Sequence, residues 1–123
     1  MANRKRILIV DDDSDLVELL NIFLTGKGYE LLTASDGKQA LQLLGDHPVD
    51  LVLLDVMMPY MDGYHVAFEI SNKMGTEAPK IVLMTSRDTV REKGVILLSG
   101  AHSVMQKPFD LEELDQKIKE MLA

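Results

Sequence analysis

Four five-residue stretches, Arg6 to Val10, Glu30 to Ala34, Asp50 to Leu54 and Lys80 to Met84, carry short aliphatic runs bounded by charge or turn residues. Unbroken apolarity over so short a length is the mark of a strand covered on both faces, the situation of a parallel sheet. Glu30 to Ala34 is the weakest of the four, and His102 to Gln106 is a fainter fifth. Between them the period changes to that of helices. Ser14 is placed to cap a helix bearing Leu16, Val17, Leu19, Leu20, Phe23 and Leu24, which Lys27-Gly28 ends. Asp36 opens a second with Ala40, Leu41, Leu43 and Leu44, closed near Gly45 and Pro48. A third is expected from about Tyr64 to Met74, a fourth from about Arg87 to Ser99, and a fifth after Asp110 with Leu111, Leu114, Ile118, Met121 and Leu122. Strand followed by helix, repeated, predicts an α/β fold: a five-stranded parallel sheet in the order 2-1-3-4-5 with helices on both faces. At 123 residues the chain suits a single domain, 1–123.

In open parallel sheets the ligand site lies beyond the carboxyl ends of the strands, where the strand order switches. Asp11, Asp12 and Asp13 follow the first strand, Asp55 the third, Thr85 and Ser86 the fourth, and Lys107-Pro108 the fifth. Clustered carboxylates repel one another and stay ionised together only beside a cation. A hard divalent ion takes such oxygen ligands. An aspartate next to it can attack phosphorus while a lysine and a hydroxyl neutralise the other oxygens. Asp13 and Asp15 each read instead as a helix cap or surface charge.

With these residues in order the chain resembles the bacterial receiver domain, the CheY-like family of two-component response regulators. The likeness rests on Ile7 to Asp13, on Asp50 to Pro59, on Met61-Asp62-Gly63, on Thr85-Ser86 and on Lys107-Pro108-Phe109. It implies a flavodoxin-like fold and a phosphoacceptor function. Asp55 would take a phosphoryl group from the phosphohistidine of a sensor histidine kinase or a phosphotransfer protein. Asp12 would bind Mg²⁺ (or Mn²⁺) directly, with Asp11 assisting and the Met57 backbone carbonyl as a further ligand. Lys107 would pair with Asp55 and then with the phosphoryl, and Thr85 would donate its hydroxyl and shift toward the site. The family's peptide bond before Pro108 is cis, which would fix the direction of Lys107. Pro59 and Gly63 read as turn formers, Gly63 through its tolerance of positive φ. Tyr60 reads as a rim residue and Asp62 as a turn former or cap.

Two features depart from the family pattern. Val104 stands where a Tyr or Phe is usual, three residues before Lys107, so the ring that normally turns inward behind the threonine is missing. Two readings stand: a working acceptor with a different output surface, or an interaction module weakly coupled to phosphorylation. In the fourth helix Val95, Ile96, Leu97 and Leu98 are consecutive, with Val90 nearby. One helical face cannot bury four neighbours, so part of this set should reach the surface. Val95 and Leu98 thereby join Thr85 and Val104 as candidate switch and output positions, with self-association through the fourth helix, fifth strand and fifth helix as one use. Met57 and Arg87, two residues after Asp55 and Thr85, are candidate modulators of phosphoryl lifetime. Arg87 is expected either to contact the phosphoryl or to lie free in solvent.

The formal charge of -7 from thirteen basic and twenty acidic residues disfavours bare nucleic acid as the main partner. Arg4-Lys5-Arg6 reads as the solvated start of a strand, and the apolar run after it is too short for a signal peptide or a membrane span. With no cysteine, the composition suits the cytoplasm. His47, His65 and His102 have no ligand spacing and read as surface residues; the eight methionines read mainly as core filler. An enzyme with its own substrate is disfavoured. Aspartate-dependent phosphatases commonly carry a second aspartate where Met57 stands, and no glycine-rich loop follows the first strand. A downstream protein partner, or an attached effector domain if the chain is part of a longer regulator, would receive the signal.

Overall fold

The computed structural model describes residues 4–123. Five strands, β1 (Arg6–Val10), β2 (Glu30–Ala34), β3 (Leu51–Asp55), β4 (Lys80–Thr85) and β5 (Ser103–Gln106), alternate with helices α1 (Ser14–Gly26), α2 (Gly37–Asp46), α3 (Gly63–Met74), α4 (Lys93–Ser99) and α5 (Leu111–Leu122). A 3₁₀ turn, Gly75–Glu77, links α3 to β4. All pairings are parallel and the sheet order is β2-β1-β3-β4-β5, as the sequence pattern predicts.

Alternate residues of each central strand feed two cores, which is why the strands are apolar without interruption. Leu8, Val10, Val52, Leu54, Ile81 and Leu83 pack toward Ala40, Leu44, Val66, Ala67 and Ile70 of α2 and α3. Ile7, Ile9, Leu51, Leu53, Val82 and Met84 pack on the other side with Leu20, Leu24, Leu114 and Ile118 of α1 and α5. Every one of these residues is at least nine-tenths buried. The basic start of β1 is tied down by Arg6, which pairs with Glu30 at 3.2 Å and donates to the Pro48 carbonyl.

Four local expectations change. The cap of α1 is Asp13, not Ser14: its Oδ1 accepts from the backbone N–H groups of both Asp15 and Leu16. Strands β3 and β4 each run one residue further than expected, to Asp55 and Thr85, and Asp55 pairs in register with Met84. Helix α4 begins at Lys93 rather than near Arg87. Asp88 captures the N–H groups of Val90 and Arg91 on its side chain, which holds this stretch in turns ahead of the helix. Asp36, Asp62 and Asp110 cap α2, α3 and α5 through Gln39, His65 and Glu113.

The fourth change lies in the β3–α3 turn. Positive φ belongs to Tyr60 (φ 69), while Gly63 is not among the residues with positive φ. Gly63 is needed for closeness instead: a Cβ there would lie 2.3 Å from the Asp55 carbonyl oxygen and 2.8 Å from the Val56 Cα. Tyr60 is fully exposed, so its ring gains no packing to offset a left-handed backbone. Tyr60→Asn should therefore raise stability by about 1 kcal/mol, since asparagine enters this region at low cost. Urea unfolding midpoints of the two proteins check this; an unchanged or lower midpoint would refute it.

The apolar stretch of α4 divides as its periodicity requires. Ile96 packs on the core, whereas Val95, Leu97 and Leu98 are exposed, Leu98 at 79%, and Val90 is exposed beside them. No helix among the described residues is long and apolar enough to cross a membrane.

Candidate functional site

The carboxyl ends of β1, β3, β4 and β5 converge at one edge of the sheet. Asp11 follows β1, where its backbone N–H still bonds to the Ala34 carbonyl, and its side chain is buried. Its Oδ1 accepts from the Asp13 N–H at 3.0 Å, which turns the chain into α1. Asp55 closes β3 and is 4% exposed. Asp12 is exposed beside them, and one carboxylate oxygen from each of Asp11, Asp12 and Asp55 lies within 4.8 Å of the others. Three hard oxygens so close together, two of them on buried residues, fit a divalent cation of the Mg²⁺ or Mn²⁺ type.

Lys107 reaches into this cluster from the loop after β5. Its Nζ donates to Asp11 Oδ2 at 2.9 Å and to Asp55 Oδ1 at 3.3 Å. The preceding strand directs it: the Lys107 N–H donates to the Thr85 carbonyl, and the Lys107–Pro108 peptide bond is cis. Burial works to lower the ammonium's pKa, yet its bond to Asp11 and the charges of Asp11 and Asp55 carry it above its ordinary value. Burial, then the charge of Asp11, pushes Asp55 up to about 6, with Lys107 pulling the other way. One ammonium does not neutralise the carboxylates gathered around it.

Thr85 ends β4 fully buried, and its Oγ1 accepts from the Arg87 N–H at 2.9 Å. That bond uses an oxygen lone pair and leaves the hydroxyl proton available to another acceptor. The Met57 N–H donates to Asp55 Oδ1 at 3.4 Å, and the Met57 side chain is half exposed. Val104 pairs in register with Leu83 and is only half buried against the core on the α3–α4 side.

Arg87 does not lie free in solvent. Its Nε donates to Glu92 Oε2 at 2.6 Å and its Nη1 approaches Met57 Sδ at 3.9 Å. The other oxygen of Glu92 accepts from the Tyr64 hydroxyl at the start of α3. Sequence reasoning missed Glu92 and Tyr64, because residues 28 apart carry no local signal of contact. His102 is exposed as expected, but its Nδ1 accepts from the Ile81 N–H at 3.0 Å, so it also ties the start of β5 to β4.

Residues 7–119 match the family model described as response regulator receiver domain. The chain belongs to this family. Among curated relatives, the receiver chain is 43% identical over 113 residues to the uncharacterized transcriptional regulatory protein YrkP of Bacillus subtilis (strain 168), an alignment covering 92% of this chain and 47% of that protein. This receiver thus spans about half the length of the curated relatives it matches. Among solved structures it resembles the response regulator TrrA of Thermotoga maritima, crystallised in complex with Mg²⁺-BeF. The two share 38% identity and a TM-score of 0.85, covering 96% of this chain and 99% of that one. The chemotaxis protein CheY4 of Vibrio cholerae superposes with a TM-score of 0.92 at 27% identity, covering 98% and 100% of the two chains. A receiver domain is a signalling module of two-component systems.

Proposed function

We propose that Asp55 is the phosphoryl acceptor of this receiver, taking the group from the phosphohistidine of a sensor histidine kinase or a phosphotransfer protein. The observation that carries the reading is Lys107 Nζ bridging two buried carboxylates, Asp11 and Asp55, at the sheet edge where the strand order switches. Asp11, Asp12 and Asp55, with the Met57 carbonyl, would hold Mg²⁺ or Mn²⁺, and a bound ion would offset the charge of the incoming phosphoryl oxygens. Asp55 supplies the attacking oxygen. Lys107 moves its contact from Asp55 to a phosphoryl oxygen, and the Thr85 hydroxyl donates to another. The same chemistry allows self-phosphorylation from a small phosphodonor and slow self-dephosphorylation, with residues 1–123 acting as one receiver unit.

Output leaves through protein contact. The exposed Val95 and Leu98 of α4, with Val104 of β5 and the adjoining α5, form the surface we assign to a downstream partner, an attached effector domain or a second receiver. Direct nucleic-acid or membrane contact has no part in it, and the cytoplasm is the expected compartment. Reading the domain as an uncoupled interaction module rests on Val104 alone. Membership of the receiver family favours the phosphorylation-coupled reading over it.

Intact-mass measurement after incubation with acetyl phosphate and Mg²⁺ tests the acceptor. A gain of one phosphoryl group is expected, and none for Asp55→Asn or in EDTA. A gain that persists in Asp55→Asn would place the acceptor elsewhere.

A further inference from the structure

Glu92 lies just ahead of α4, and both of its carboxylate oxygens are engaged. One accepts from the Tyr64 hydroxyl on α3, the other from the Arg87 guanidinium at 2.6 Å. Its side chain is 17% exposed although it belongs to a surface turn. Arg87 lies in the loop after β4, and its backbone N–H is already bonded to the Thr85 hydroxyl oxygen. Its side chain is drawn across to Met57, which stands two residues from Asp55. Asp12, Met57, Tyr64, Arg87 and Glu92 share the walls of one groove that opens beside the acidic cluster. The guanidinium is therefore tethered within reach of the site, by a carboxylate outside it.

We infer that Glu92 is a positioning residue: it holds Arg87 off the acceptor and so keeps the path of the hydrolytic water to the aspartyl phosphate open. The inference rests on Asp55 being the acceptor and concerns how that site is regulated. Phosphorylation replaces the single charge of the Asp55 carboxylate with a phosphoryl group that carries nearly two, and a guanidinium binds such an oxyanion in paired hydrogen bonds. Arg87 thus has two competing anionic partners, and Glu92 is the one present before phosphorylation. Tyr64 fixes Glu92 in place. Burial, then its bond to Glu92, pushes the phenol up to about 12, so it remains a donor at neutral pH.

Loss of the phosphoryl group is hydrolysis. A water oxygen bonds to phosphorus, the phosphorus–oxygen bond to Asp55 breaks, its carboxylate leaves, and both water protons end on inorganic phosphate. The water must approach opposite the Asp55 oxygen. A guanidinium resting on the phosphoryl would cover that approach; one held by Glu92 does not.

The test follows phosphorylated protein by intact mass after acetyl phosphate is removed, with Mg²⁺ present. Glu92→Gln keeps an oxygen for Tyr64 but removes the charge that holds Arg87. Its phosphorylated form should persist roughly threefold longer than wild type or more, a change of about 0.65 kcal/mol in the barrier. In the Arg87→Ala background the same substitution should change nothing, and Glu92→Asp should restore part of the wild-type rate. Tyr64→Phe, which leaves the Arg87–Glu92 pair, separates the charge from mere ordering of the loop and should have the smaller effect. An unchanged lifetime in Glu92→Gln, an effect that survives Arg87→Ala, or an equal effect of Tyr64→Phe would overturn the inference. Wild type that gains no phosphoryl mass would instead overturn the acceptor reading beneath it.

Discussion

Gly63→Ala should destabilise the domain by about 3 kcal/mol, the upper end of the usual range for forcing atoms into filled space. The added Cβ would stand 2.3 Å from the Asp55 carbonyl oxygen and 2.8 Å from the Val56 Cα, and both are backbone atoms. A side chain in the way can change rotamer, but a strand backbone cannot. Asp55 is paired with Met84, the Val56 N–H donates to the Met84 carbonyl, and the Gly63 N–H donates to the Val56 carbonyl. Relief therefore requires the start of α3 to lift away from the end of β3. That motion would also shift Asp55 relative to Lys107, so phosphoryl uptake should fall together with stability. Urea unfolding and intact-mass uptake measured on the same preparation test both. A loss below about 1 kcal/mol would show that the turn yields and that the close approach is not required.

Sequence and structure agree most closely where a residue's task is local. Runs such as Ile7 to Val10 are apolar because both faces of the sheet are covered, and this alone specifies strand, parallel pairing and layers. The end of each strand then marks the site, so Asp11, Asp12, Asp55, Thr85 and Lys107 could be placed at one edge before any coordinates. Three-dimensional competition was harder to read. Helix α4 starts later than its periodicity predicts because Asp88 offers its side chain to the Val90 and Arg91 N–H groups, a choice that periodicity does not reveal. In sequence, Gly63 reads as a turn former for its tolerance of positive φ, which turns commonly need. The requirement was space against β3, and the left-handed residue is Tyr60. The pairing of Arg87 is not legible in sequence because its partner Glu92 lies on the far side of a turn and is itself held from α3.

Asp55→Asn should stabilise the metal-free domain at pH 8 by about 2 kcal/mol, an unusual sign for replacing a buried residue at a functional site. Burial and the neighbouring Asp11 raise Asp55 from its usual 3.8 to about 6. A carboxyl raised on folding favours its protonated form there. Its contribution is fully present below the unfolded value and is lost as pH rises through about 6. Between 3.8 and about 6 the displacement corresponds to roughly 3 kcal/mol at most. Asparagine does not ionise, and Lys107 has a second partner to hold in the variant, Asp11 at 2.9 Å. The advantage of Asp55→Asn should therefore be largest at pH 8, shrink through pH 6 and nearly vanish by about pH 4. Urea unfolding in EDTA across this range measures it, and an advantage no larger at pH 8 than at pH 4 would sink the prediction. Adding Mg²⁺ should narrow the gap, because an ion that binds the wild-type carboxylates in the folded state stabilises that state alone. The burial and the repulsion that weaken the metal-free domain would then be relieved by the cation they attract, and that cation in turn offsets the charge of a phosphoryl group arriving at Asp55.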